Sequence, residues 1–232
     1  PRPIFYYLGL HTIAYKSPAA MTSKSNTTRG QVFVIAAASG TGKTSLVSAL
    51  LSAHPNAAVS ISHTTRAQRP NEQDGINYFF VDRARFEDLI QQGLFVEHAE
   101  VFGNLYGTST EEVERIIAAG KQLILEIDWQ GAQQVKAKLP DANLIFILPP
   151  TLETLKTRLL GRGQDDLDTV EQRFNGARDE IAQYHTFDYL IVNDNFQLAL
   201  QQLSAIVFED PAPFEIQAQT ARYIDLLTSL TT

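Results

Sequence analysis

Residues 31–51, QVFVIAAASGTGKTSLVSALL, limit the fold more than any other stretch of the chain. An apolar run without polar alternation (31–37) reads as a buried strand, and Leu46, Val47, Leu50 and Leu51 mark a helix that stops at Pro55. Between them, Ala37 to Thr44 follows the pattern G-x-x-x-x-G-K-[ST] at Gly42, Lys43 and Thr44, with Ala37 where the first glycine would stand. The spacing has a physical reason. Backbone N–H groups of a tight loop, here Ser39, Gly40, Thr41, Gly42, Lys43, Thr44 and Ser45, can wrap phosphate oxygens, and the helix N-terminus adds partial positive charge. Gly40 and Gly42 let the backbone approach without a Cβ in the way. Lys43 would reach the β- and γ-phosphates of a nucleoside triphosphate, and Thr44 would hold Mg2+. An ordinary glycine-rich turn is the alternative, but it has no need of Lys-Thr just before a helix.

Four further apolar runs, AAVSIS (57–62), QLILEID (122–128), NLIFIL (143–148) and DYLIVN (188–193), also lack strict alternation, as parallel strands covered on both faces do. Helical patterns accompany most of them. STEEVERIIAAG has capping-box spacing from Ser109 to Glu112 and an apolar stripe at Val113, Ile116 and Ile117. TLETLKTRLLGRG, TVEQRFNGARDEIAQY and FQLALQQLSAIVF complete the set. The layout is α/β, with a parallel five-stranded core sheet flanked by helices in doubly wound order. Residues 62–108 interrupt it with GINYFFV, a helix from about Arg83 to Gln92, and LFVEHAEVFGNLYG, which together read as a small β-rich insertion. A shorter interruption lies near 156–175, where arginines and acids replace the apolar rhythm.

At 232 residues and 44% hydrophobic content, the chain suits one such domain with insertions. A formal charge of −7 opposes binding to a nucleic acid polymer. No apolar run approaches the ~18 residues that span a bilayer, so no membrane segment is expected. The absence of cysteine excludes disulfides and thiolate chemistry, and fits a reducing compartment such as the cytoplasm. The first twenty residues are aromatic-rich without a clean signal-peptide pattern, and they precede Met21, which reads as a natural start. Residues 1–29 are therefore an extension with no assigned role. At the other end, Ile224, Leu226, Leu227 and Leu230 suit a helix docked on the core or on another copy of the chain in a homo-oligomer; a frayed tail is the alternative.

SISHTTRAQRP (60–70) places Arg66 and Arg69 beside Ser62, Thr64 and Thr65 in an otherwise acidic chain. Arginine's planar fork gives two parallel charge-assisted hydrogen bonds to a phosphate. With one phosphate site already present, a second suggests a kinase whose acceptor is itself phosphorylated; two solvated surface arginines are the alternative. Arg158, Arg162 and Arg173 could close over a transferring phosphoryl group, yet by spacing alone they serve equally as exposed partners of Asp165, Asp166 and Asp168. Glu126 and Asp128 end their strand on the side of the sheet where open α/β folds bind ligands. Either could orient Mg2+ water or grip a substrate, and the spacing does not divide the roles.

Taken in order, AASGTGKTS, SHTTRAQRPNEQDGINYFFV, FVEHAEVFGNLYGTS, LEIDWQGA, LKTRLLGRG with EQRF, and LIVNDNF give a chain that resembles the guanylate kinase family over about residues 30–208. The arginine-turn and GNLYGTS blocks are the more specific matches. The resemblance implies a P-loop nucleoside monophosphate kinase fold and Mg2+-dependent phosphorylation of GMP, and of dGMP, by ATP. It implies a core (30–61, 111–153 and 177–208), a GMP-binding insertion (62–110), a short helical lid (154–176) and a C-terminal tail (209–232). Arg66, Arg69, Tyr78 and Tyr106 match positions that hold the GMP phosphate; Ser62, Glu97, Thr108 and Asp128 match positions near the guanine. A carboxylate at Glu97 suits the N1–H and N2 amine of guanine and opposes adenine, whose N1 is an acceptor. Lys43, Arg69, Arg162 and Arg173 match catalytic positions, Arg158 is a weaker candidate, and Asn193 matches an asparagine on the ATP side. Glu126 stands where an aspartate is common in the family, which leaves its role toward Mg2+ open. In-line transfer without a covalent intermediate follows. Two other readings share the fold: a protein-binding scaffold domain, which retention of Lys43, Thr44, Arg162 and Arg173 opposes, and a kinase for another nucleoside monophosphate, which Glu97 and Ser62 oppose.

Overall fold

The computed structural model describes residues 29–101, 103–161 and 167–232, with the side chains of 167–170 left aside. The chain runs β1 (Val32–Ala37), α1 (Lys43–Ala53), β2 (Ala57–Val59), then β3 (His63–Thr64), β4 (Phe79–Phe80), α2 (Arg83–Gln91), β5 (Phe95–Val101) and β6 (Asn104–Ser109). It continues through α3 (Thr110–Ala118), β7 (Gln122–Glu126), α4 (Trp129–Lys138), β8 (Asn143–Leu148), α5 (Leu152–Gly161) and α6 (Leu167–Ala182). The last elements are β9 (Tyr189–Val192), α7 (Phe196–Phe208), α8 (Ile216–Arg222) and α9 (Ile224–Thr231).

The five apolar runs form one parallel sheet in the order β2-β7-β1-β8-β9. Their lack of alternation is explained by burial on both faces. Even-numbered residues of β1, Val32, Val34 and Ala36, pack with Leu123, Leu125, Leu144 and Phe146 beneath α3, α4, α6 and α9. Odd-numbered Phe33 and Ile35 pack with Ile124, Ile145, Ile147 and Ile191 beneath α1 and α7. Each face must be apolar because each is covered by helices, so period two survives in packing but not in polarity. Helix α9 settles the alternatives for the tail: Leu227 and Leu230 are buried in the core, against α6, while Ile224 stays exposed.

A second, four-stranded sheet in the order β4-β3-β6-β5 rises beyond β2, around a small core of Phe86, Leu89, Phe95 and Leu105. The run at 57–62 stops as core strand at Val59 because the chain crosses there to this sheet. The return crossing ends at Ser109, whose hydroxyl accepts the Glu112 N–H at 3.3 Å and caps α3. One carboxylate ties both crossings together. Glu112, nearly buried, accepts the Ile61 N–H at 3.2 Å and pairs with Arg115 at 2.8 Å.

Candidate functional site

Strand β1 ends at Ala37, which is paired with Ile147 in extended backbone, so a glycine is not needed at that position. The turn that follows does need glycine. Gly40 and Gly42 have φ of 90° and 99°, and an added Cβ would lie 2.9 Å from Leu159 and 2.6 Å from Asn193 respectively. Gly42 caps α1 without any side chain, which leaves the first N–H groups of the helix pointing into a cavity of about 260 Å³. The outer side of the loop is wired down. The buried Asn193 donates its amide to the Thr41 carbonyl at 2.8 Å. Arg158 donates to the Thr41 and Asn193 carbonyls at 3.1 and 3.2 Å, which brings this weaker candidate directly onto the loop. Gly40, Gly42, Ser45, Arg158 and Asn193 share a second hollow of about 310 Å³ on that side.

Inside the first cavity, Lys43 Nζ donates to the Ile127 carbonyl at 3.1 Å. Burial lowers the pKa of Lys43, and the charges of Glu126, Asp128 and Glu180 work against that loss. The Thr44 hydroxyl donates to the Glu126 carboxylate. Asp128 caps α4 by accepting the Gly131 N–H at 2.8 Å. Glu180 reaches the loop from α6 and faces the Ser39 backbone N–H; burial raises its pKa, and that N–H opposes the shift.

A third cavity, of about 290 Å³, lies between the two sheets and is lined by Ser62, Tyr78, Glu97 and Tyr106 together with Lys43, Glu126 and Asp128. The last three residues also line the phosphate-loop cavity, so the two spaces meet along one strip. Glu97 is 5% exposed, and Thr108 Oγ1 donates to its Oε1 at 2.6 Å. Burial pushes its carboxyl pKa up, and the hydroxyl and backbone of Thr108 pull the other way. Helix α4 braces the strand on either side of Glu97: Gln134 exchanges two hydrogen bonds with the backbone of His98, and Lys138 donates to the Phe95 carbonyl at 2.6 Å.

At the rim, Arg66 is set in place before any ligand arrives. Its guanidinium donates to Glu72 at 2.7 Å and to the Ala67 carbonyl at 2.8 Å, and lies 5.5 Å from the Tyr78 ring centre. Glu72 raises the Arg66 pKa, with a further contribution from the Tyr106 hydroxyl, and Arg66 lowers that of Glu72. The other Glu72 oxygen accepts the Arg69 backbone N–H at 2.8 Å, while the Arg69 side chain is exposed. Thr64 and Thr65 serve the turn and not the cavity. Their hydroxyls accept the backbone N–H groups of Arg66 (3.1 Å) and Leu105 (2.9 Å).

The structure thus brings Ser62, Arg66, Tyr78, Glu97, Tyr106, Thr108 and Asp128 together, with Arg69 at the edge. It brings Ser39 to Ser45, Asn193 and Arg158 together at the loop. Arg173 is half-buried on α6, and Arg162 lies outside the described residues, as do residues 1–28. Sequence reasoning missed Glu72 and Glu180. The first had a signal, an acid three residues after Arg69; the second had none, because only the packing of α6 carries it to the loop.

The guanylate kinase family profile matches residues 29–210. A guanylate kinase of Hahella chejuensis is 56% identical over 178 residues, 77% of this chain and 86% of the relative. One from Psychrobacter arcticus is 53% identical over 201 residues, 87% of this chain and 96% of the relative. Among solved structures, guanylate kinase from Anaplasma phagocytophilum is 31% identical and superposes with a TM-score of 0.61 over 84% of this chain and 96% of that one. The chain belongs to the guanylate kinase family.

Proposed function

We propose that this protein is a guanylate kinase, transferring the γ-phosphoryl group of ATP to GMP, or to dGMP, to give ADP and the nucleoside diphosphate. The observation that carries the reading is the meeting of two cavities along Lys43, Glu126 and Asp128: one offers backbone N–H groups to a triphosphate, the other a buried carboxylate and a fixed arginine. The loop from Ser39 to Ser45 and Lys43 hold the ATP phosphates, with Asn193 and Arg158 keeping the loop in shape. Arg66, Arg69, Tyr78 and Tyr106 hold the GMP phosphate. Glu97, fixed by Thr108, accepts from guanine N1–H and the N2 amine, with Ser62 and Asp128 beside it.

The Thr44 hydroxyl and the Glu126 carboxylate already face each other, and such hard oxygen donors suit Mg2+. Glu126 would therefore suit that side despite its extra methylene, and would hold the ion through water. Bound Mg2+ would neutralise charge on the β- and γ-phosphate oxygens. The acceptor is a phosphate anion and needs little help from a base, so the side chains act by position and charge. Residues 62–110 close over GMP and the 154–176 lid closes over ATP, bringing Arg162 and Arg173 onto the transferred group and excluding water.

The test is ADP production from Mg·ATP with GMP, dGMP, AMP, UMP or no acceptor, alongside Lys43→Ala. Production with GMP and dGMP that vanishes in the Lys43 variant is expected. A folded protein that makes no ADP with any acceptor would overturn the reading in favour of a scaffold domain, and one that prefers AMP or UMP would overturn the guanine assignment.

A further inference from the structure

Lys43 shares the phosphate-loop cavity with three carboxylates, Glu126, Asp128 and Glu180. The proposed reaction accounts for the first two. Glu180 has no part in it, and its place is unusual: a half-buried acid on α6 that lines the phosphate-loop cavity together with Ser39, whose backbone N–H belongs to the loop that would serve a phosphate. Helix geometry links this position to a second residue. At ~100° and ~1.5 Å per residue, Arg173 lies within about 20° of the same face of α6 and about 10.5 Å away along the axis. Ala177 and Ile181, both 0% exposed, fasten the helix to the core between and beside these two positions. The core packing sets the rotation of α6, and a tie from Glu180 to the loop would add a link between that loop and the face of α6 that carries position 173.

We propose that Glu180 is a positioning residue for phosphoryl transfer, fastening α6 to Ser39 of the phosphate loop and so setting the reach of Arg173 toward the phosphates. This rests on the kinase reading above. It differs from a purely structural role in acting through the arginine, and from an inhibitory role in raising the rate.

Steady-state kinetics of Glu180→Ala, Glu180→Gln, Arg173→Ala and the Glu180→Ala/Arg173→Ala double variant test it. Glu180→Ala should lower kcat about ten- to hundredfold, the usual weight of a hydrogen bond to a charged group, with KM for GMP unchanged. Glu180→Gln, which keeps an acceptor oxygen for Ser39, should recover most of that loss. In the double variant the loss should be little more than that of Arg173→Ala alone, because the anchor has nothing left to position. Additive losses, a kcat that rises in Glu180→Ala, or a glutamine variant as poor as alanine would each overturn the proposal. Should the wild-type chain make no ADP with any acceptor, the kinase reading fails on its own. The coupling is then read from amide hydrogen exchange: faster exchange in both the Ser39 loop and α6 of Glu180→Ala sustains it, and unchanged exchange in either overturns it.

Discussion

Replacing Glu97 with glutamine should cripple guanine recognition while making the protein more stable. The Thr108 backbone N–H, which can only donate, together with its hydroxyl at 2.6 Å, decides which way the new amide faces. Thr108 keeps an oxygen on its side, so the NH2 group is forced toward the cavity, where the guanine edge presents donors of its own. One or two charge-assisted hydrogen bonds are lost and replaced by facing donors, for about 2–4 kcal/mol. At 1.36 kcal/mol per decade that is about 30- to 1000-fold in kcat/KM for GMP. KM for ATP should hardly move, and the ratio of AMP to GMP use should rise. The stability effect has the opposite sign. Burial raises the folded-state pKa of Glu97 above its unfolded value. Between those two values the folded state holds the proton that the unfolded state has released, so stability falls as pH rises through the window. Above the raised pKa the wild-type chain carries the whole penalty of an ionised buried acid, and the neutral amide does not. Thermal melts of ligand-free protein should therefore show a higher Tm for Glu97→Gln above the raised pKa, with the difference shrinking as pH falls from that value and gone below the ordinary carboxylate pKa. In the wild type, KM for GMP should climb as pH falls toward the raised pKa, because GMP needs the carboxylate. A loss in kcat/KM of less than about threefold (about 0.65 kcal/mol), or an equal loss in apparent ATP affinity, would refute the assignment of Glu97 to guanine.

Three further outcomes are expected. Glu72→Gln should raise KM for GMP several-fold and leave KM for ATP alone, because Glu72 ties both the Arg66 guanidinium and the Arg69 backbone; unchanged GMP kinetics would show that the arginines hold themselves in place. Gly42→Ala should weaken ATP binding by calorimetry and lower stability to urea by about 1–3 kcal/mol, since φ is 99° and the added Cβ would lie 2.6 Å from Asn193 Nδ2; a variant with wild-type midpoint and affinity would contradict that geometry. Leu230→Ala, at a fully buried position of α9, should cost about 2–5 kcal/mol in urea unfolding, whereas a loss below about 1 kcal/mol would mean that the tail does not dock on α6 in solution.

The core sheet was legible because its strands are continuous apolar runs, and such runs are hard to mistake when a helix pattern follows most of them. Helix α4 was not. WQGAQQVKAK buries only Gly131, Ala132 and Val135, too few apolar residues for a visible stripe, and its start depends on Asp128, which sequence reading reserved for a ligand. The second sheet was legible as β-rich but not in its details. GINYFFV yields two strand residues, Phe79 and Phe80, because the rest of that stretch turns the chain around Asp74, whose carboxylate accepts the Phe80 N–H. At the site, local motifs were readable and long-range partners were not. Lys43, Thr44 and the two arginines announce themselves by spacing, but nothing in the chain says that Asn193 will grip the Thr41 carbonyl or that Glu180 will face Ser39. Those contacts depend on where β9 and α6 come to rest.

The same contacts explain how a chain of net charge −7 can hold two anions at once. Its acids are not merely a background that the cations must overcome. Arg66 is held by Glu72, and Lys43, bonded to the Ile127 carbonyl, sits in the field of Glu126, Asp128 and Glu180, so carboxylates partly neutralise both cations. Such pairing lowers the long-range attraction for any phosphate and leaves the short-range contacts intact. On the assignment proposed above, binding then depends on geometry: loop N–H groups aimed at oxygens, a guanidinium fork already oriented, and a buried carboxylate suited to the paired donors of a guanine edge. Interactions of that kind weaken steeply once the reacting groups separate, which favours a bound transition state over tightly held products. A basic surface would attract more phosphate but would not make that distinction.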